Sequence, residues 1–169
     1  MAENIATNNG QHIIGAPIYQ APEVMLNVKW TSAVDIWSLG ATVCLLSLAL
    51  TYRMHLLSSK QGICYLLRRH IFVPNGLEPS DERFALAVLM LQNKYFGPFP
   101  ENFFQLLDDE GVAVLRYVLK ECGEQTDLFS KAAPIDAEDK DFICYLMKPD
   151  PRDRPSASEA LSHEWLKEV

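Results

Sequence analysis

Residues 36–52 read Ile36-Trp-Ser-Leu-Gly-Ala-Thr-Val-Cys-Leu-Leu-Ser-Leu-Ala-Leu-Thr-Tyr52, 17 positions without a charged side chain. That length is at the lower end of what a helix needs to cross a bilayer. Gly40, Thr42, Ser47 and Thr51 dilute the run, and polar sequence resumes on both sides. A helix apolar on all faces is also what the centre of a larger helical domain requires. The expectation is a buried central helix over residues 33–50, with Thr31 or Ser32 as its N-cap. A membrane role is set aside.

The flanking sequence supports a helical domain. Upstream, Gly15-Ala-Pro-Ile-Tyr-Gln-Ala-Pro-Glu23 carries two prolines five apart. This suits a constrained loop, with Pro22 in the first turn of a short helix through Val24 and Met25. Residues 1–14 are polar and Asn-rich and read as a flexible lead-in. They lack the basic-then-apolar order of a signal peptide. Downstream, a helix is expected over residues 61–70, and another capped by Ser80 that presents Phe84, Val88 and Leu91 on one face. Gly97-Pro-Phe-Pro100 ends the latter. Shorter helices follow over 101–107 and 112–121, then one over 136–147. Pro149-Asp-Pro-Arg-Asp-Arg-Pro155 reads as a compact loop. Ser156 and Glu159 match a capping box, and His163-Glu-Trp-Leu166 closes the chain with a short helix. There is no repeat and no strand-rich block, so the fold class is mainly α.

Composition narrows the functions. A chain of 169 residues makes one ordinary domain, and 49% hydrophobic with 22% charged residues is globular. Lys plus Arg number 15 against 22 Asp plus Glu, a net charge of −7. Such a chain repels phosphate backbones, which disfavours nucleic acid and anionic membranes as partners. Cys44, Cys64, Cys122 and Cys144 show no paired metal-binding spacing. Three of them sit in apolar runs and read as reduced core thiols. His12, His55, His70 and His163 are far apart, so no metal site is expected. An intracellular location, cytoplasm or nucleus, follows from the thiols as the default.

Three segments, in this order, carry a resemblance. They are Ala21-Pro22-Glu23 preceded by Gly15 and Tyr19, Asp35-Ile-Trp37-Ser38-Leu-Gly40, and Asp150-Pro-Arg-Asp-Arg154-Pro-Ser-Ala-Ser-Glu-Ala-Leu-Ser-His-Glu-Trp-Leu. Together they resemble the C-terminal lobe of a eukaryotic serine/threonine protein kinase: the end of the activation segment, the start of the central helix, and the closing loop and last helices. Ile18-Tyr-Gln-Ala-Pro-Glu-Val with Trp30, and Gly97-Pro-Phe-Pro, look most similar to the fungal serine/arginine-protein-kinase-like (CMGC) branch. The resemblance implies residues 1–14 as an activation-segment remnant and residues 15–169 as an incomplete kinase-like C-lobe.

The resemblance also implies roles. Gly15, Ala16, Pro17 and Tyr19 correspond to the loop that receives the residue after a phosphoacceptor. Glu23 and Arg154 correspond to an ion pair tying the activation segment to the base of the lobe; the alternative is two solvated charges. Asp35, Trp37 and Gly40 belong to the structural core. In the family Asp35 supports the catalytic loop from below; the plain alternative is an acid complementing the helix dipole.

Phosphoryl transfer in the family needs a phosphate-covering loop, a clamping Lys, an acid for Mg²⁺ and an Asp that orients the hydroxyl. No Gly-x-Gly, Val-Ala-Ile-Lys, His-Arg-Asp or Asp-Phe-Gly occurs in the 169 residues. Ala16 stands where serine/threonine kinases commonly carry a Thr. The expectation is therefore no catalytic residue, no ATP or Mg²⁺ bound, and a non-catalytic scaffold or decoy for a protein or peptide, for instance a basic Arg/Ser-rich one. The alternative is a fragment of an active ATP-dependent serine/threonine kinase. Without the helix that normally precedes the catalytic loop, the central helix is expected to lose one wall and to offer an apolar face for self-association.

Overall fold

The computed structural model describes residues 15–51, 70–123, 129–132 and 135–167. The lead-in, residues 61–69 of the helix expected over 61–70, His12, His55 and Cys64 lie outside the described residues. Every element among the described residues is helical, and none is a strand.

Helix α1 (Pro22–Met25) starts on Pro22, where the missing N–H has no helical partner to lose. Helix α2 (Ala33–Thr51) is the central element. Of the two candidate caps Ser32 stands at the N-cap position, while the side-chain bond comes from Thr31, whose Oγ1 accepts from Ala33 N at 3.3 Å. Ile36, Trp37, Ala41, Val43, Cys44 and Ser47 of α2 are buried. The helix is not buried on all sides, however. Asp35, Leu39, Thr42 and Leu46 follow helical spacing along one stripe, with Leu39 44% and Leu46 56% exposed.

Helix α3 (Phe84–Phe96) begins three residues later than a Ser80 cap requires. Asp81 takes over the turn: its Oδ1 accepts from Arg83 N at 2.9 Å, and its two oxygens accept the Arg83 guanidinium at 3.0 and 2.7 Å. A side chain that bonds its own backbone two residues on competes with helix initiation. The helix stops at Gly97, whose N–H reaches Asn93 O. A 3₁₀ helix (Glu101–Leu106) leads to α4 (Asp109–Cys122), capped by Asp108 Oδ1 accepting from Gly111 N at 2.8 Å. Leu89 of α3, Phe99, Phe103, and Leu115 and Val118 of α4 close one apolar cluster with Leu26.

The short α5 (Phe129–Ala132) precedes α6 (Ala137–Leu146), which lies along α2. The two helices meet at Gly40. A Cβ there would overlap Met147 Cγ and press on Leu146 Cβ at 3.2 Å, so any side chain at position 40 forces them apart. Trp37, Phe72, Phe142, Ile143, Leu146 and Met147 form the heart of the larger cluster. Each fully buried side chain of this size contributes about 1.5–3 kcal/mol of burial free energy.

After a 3₁₀ turn (Pro151–Asp153), α7 (Ala157–Leu161) carries the complete capping box. Ser156 Oγ accepts from Glu159 N at 3.3 Å, and Glu159 Oε2 accepts from Ser156 N at 2.7 Å. The last 3₁₀ turn (Glu164–Leu166) docks Trp165 on Phe142, centroids 4.6 Å apart, with Trp165 Nε1 donating to Asp139 Oδ1 at 2.8 Å. Among the described residues, no helix is long and apolar enough to cross a membrane.

Candidate functional site

The site has two parts, a short segment that faces solvent and the buried anchor that fixes where it lies. Gly15 has φ 75°, a left-handed conformation that glycine adopts without a side-chain penalty. Gly15 and Ala16 are exposed, and a single 3₁₀ turn (Pro17–Tyr19) follows. Several bonds hold this turn from below. Gln20 Nε2 donates back to Gly15 O at 3.0 Å. Ser38 Oγ, from the first half of α2, donates to Tyr19 O at 3.0 Å. Gln92 Nε2, from α3, donates to Gln20 O at 2.8 Å. Gly15, Ala16, Pro17 and Tyr19 thus share one constrained turn resting on α2 and α3.

Beneath Tyr19 lies His70, edge-to-face with its ring at 5.3 Å. The buried imidazole accepts from Phe72 N at Nδ1, 3.2 Å away. A backbone N–H can only donate, so the proton sits on Nε2, which donates to Ala41 O at 3.2 Å. Burial lowers the His70 pKa from 6.5 to about 4, with the Ala41 carbonyl opposing the shift. Charging the ring would put a second N–H against that of Phe72. A group with a depressed folded pKa binds its proton more readily when unfolded, so stability contributed by His70 is complete above pH 6.5 and falls as the pH drops towards 4. The loss totals about 3 kcal/mol. Denaturant titrations of wild type and H70Q at several pH values check this. The expected result is a steeper decline for wild type between pH 6.5 and 4; parallel declines contradict it.

The anchor joins residues that are 131 apart in sequence. Arg154 Nη1 donates to Glu23 Oε1 at 2.6 Å and Nη2 to Oε2 at 2.7 Å, a bidentate pair with Glu23 only 1% exposed. The remaining Arg154 donors reach Lys148 O at 2.8 Å, Ala33 O at 2.9 Å and Pro149 O at 3.1 Å. All five guanidinium N–H groups are thereby used. The guanidinium also lies over the Trp37 ring, 5.0 Å from its centroid. One side chain therefore ties α1, the first turn of α2 and the end of α6 together. The adjoining loop is held separately: buried Asp150 accepts from Arg152 N at 2.9 Å, and Arg152 Nη2 reaches Asn102 O at 2.7 Å.

The other expected residues separate. Trp37 is 0% exposed, stacked on Phe72 at 6.1 Å and edge-on to Phe96 at 5.9 Å. Gly40 sits at the α2–α6 crossing. Asp35 is exposed in the first turn of α2, without a partner among the described residues. Cys44, Cys122 and Cys144 are free thiols. Burial, reinforced by Cys144, pushes the Cys44 thiol up to about 12, so it is no nucleophile at neutral pH.

Sequence reasoning assigned nothing to Ser38, His70 or Gln92 in this arrangement. For Gln92 a signal existed: it falls four residues after Val88 and three after Leu89, on the buried side of an otherwise apolar helix. A polar residue on such a face is informative where an exposed one is not.

Comparison with known proteins bears on this geometry. A family model described as protein kinase domain matches residues 1–166. A serine/threonine protein kinase of Aspergillus fumigatus is 29% identical over 160 residues, covering 88% of this chain and 34% of the relative. The probable serine/threonine-protein kinase sky1 of Dictyostelium discoideum is 30% identical over 163 residues, covering 89% of this chain and 22% of the relative. The serine/threonine-protein kinase chk-2 of Caenorhabditis elegans is 24% identical over 169 residues, covering 99% of this chain and 24% of the relative. The chain thus spans between 22% and 34% of the length of these relatives.

Proposed function

Because the chain belongs to the protein kinase domain family, we propose that its 169 residues form a substrate-side scaffold that holds a peptide against the 15–19 segment and transfers no phosphate by itself. The observation that carries this reading is a pairing of presence and absence. The 15–19 turn is braced by Ser38, Gln20 and Gln92. The residue patterns that cover, clamp and activate nucleotide phosphates do not occur in the sequence. Catalytic groups of this kind act as a unit, so retaining the scaffold does not retain part of the rate. The residues that hold ATP and Mg²⁺ in the family have no counterpart here, and no step through them is assigned.

The peptide class follows from charge. A chain of net −7 attracts basic segments, and Arg/Ser-rich peptides offer charge-assisted donors to carboxylates. The sequence around residues 18–24 and at Gly97-Pro-Phe-Pro100 supports the serine/arginine-protein-kinase-like branch. The free thiols support an intracellular setting. Incubation of the purified protein with radiolabelled ATP and an Arg/Ser-repeat peptide is expected to give no incorporation above buffer. Incorporation that follows the protein through successive purification steps overturns the reading.

A second reading is that the chain is one piece of an active ATP-dependent serine/threonine kinase. The complete Glu23–Arg154 linkage supports it, since a working enzyme needs its activation segment tied in this way. Genomic sequence upstream of the Met1 codon discriminates the two. An in-frame glycine-rich loop, clamping Lys, His-Arg-Asp and Asp-Phe-Gly support the enzyme.

A further inference from the structure

Gln92 is 1% exposed, in a helix whose neighbouring buried positions are mainly apolar. Its amide is used in a lopsided way. Nε2 donates to Gln20 O at 2.8 Å across 72 residues, while the buried Oε1 has no partner among the described residues. Leaving a buried acceptor unpaired is unfavourable, and an apolar side chain of the same shape avoids it. What the amide supplies is a donor at one point of the backbone, the junction between the 3₁₀ turn (Pro17–Tyr19) and α1.

Ser38 reaches Tyr19 O from α2, and the Gln20 side chain bonds within the segment itself. We propose that Gln92 is a positioning residue for the 15–19 segment, setting its distance from α3 and hence its affinity for peptide. This rests on the reading above that the segment receives the peptide. Gln92 touches no peptide itself; it acts through Gln20.

The test is Gln92→Met, which keeps the length and removes the donor. The substitution removes the unpaired acceptor Gln92 Oε1 together with the bond to Gln20 O, and adds apolar burial, so the Tm is expected to move by only a few degrees. Local order is expected to change more. Tyr19 N–H donates to Ala16 O and Gln20 N–H to Pro17 O. Hydrogen exchange of these two amides is expected to speed up about five- to tenfold in Q92M, while that of Met147 N–H, bonded to Ile143 O, stays unchanged. Equal exchange at Tyr19 and Gln20 in both proteins overturns the proposal.

Should Q92M not fold, the wild type decides. Slow exchange of a Gln92 side-chain N–H, with scalar coupling across the bond to the Gln20 carbonyl, supports the proposal; a freely exchanging amide refutes it. Titration with an Arg/Ser-repeat peptide separates this inference from the functional reading. Wild-type binding weakened about five- to tenfold in Q92M supports both. Faster local exchange in a protein that binds no such peptide keeps the positioning role and refutes the peptide reading.

Discussion

Glu23→Gln is expected to lower the free energy of unfolding by about 3–5 kcal/mol, because it leaves the Arg154 charge buried without its counter-ion. The side chain of Arg154 is wholly buried, so water cannot take over. Typical domains are stable by only ~5–15 kcal/mol, and in a chain of this size the loss lowers the Tm by roughly 10 °C. Arg154→Lys is expected to be nearly as damaging. Three ammonium protons replace five fixed donors, so some of the oxygens now bonded on Glu23, Lys148, Ala33 and Pro149 lose their partners. The double variant Glu23→Leu with Arg154→Met recovers part of the loss, since replacing a whole buried ion pair by apolar groups is often tolerated. Recovery stays partial because the three backbone carbonyls remain unpaired. Urea unfolding of the two single variants and the double variant measures the coupling; additive effects contradict the account.

The second large effect is expected at Trp37. Trp37→Ala removes the ring that Phe72, Phe96 and Arg154 contact and leaves a cavity between α2, α3 and the closing loop. Substitutions of this kind cost about 3–5 kcal/mol. Trp37→Phe is expected to cost far less. The indole Nε1 is buried with no partner among the described residues, so its loss removes an unpaired donor and forfeits no bond. A Trp37→Phe variant as unstable as Trp37→Ala would mean that the indole N–H has an essential partner. Thermal unfolding of both variants distinguishes the cases.

These residues differ in how far the sequence discloses them. The cap at Ser156–Glu159, the start of α1 on Pro22 and the break at Gly97 rest on bonds between near neighbours, so a short window contains them. The displaced start of α3 is local too, but two local options competed there, and the Asp81 turn prevailed over a cap at Ser80. The uncharged run marked α2 as central, yet a run without charges has no phase. It does not reveal that Leu39 and Leu46 lie on the exposed side.

Tertiary partners are a different matter. No periodicity links Glu23 to Arg154; only the family resemblance paired them. His70 and Gln92 bond to backbone carbonyls of Ala41 and Gln20, and a carbonyl carries no residue signature. Their partners emerge only once α2, α3 and the 15–19 segment are packed together.

The central claim is that the braced 15–19 segment holds a basic peptide without help from nucleotide. Isothermal titration of the purified protein with an Arg/Ser-repeat peptide, in the presence and absence of ATP and Mg²⁺, tests it most directly. The account predicts saturable binding with the same Kd in both conditions. No binding, or binding only when nucleotide and metal are added, would contradict it.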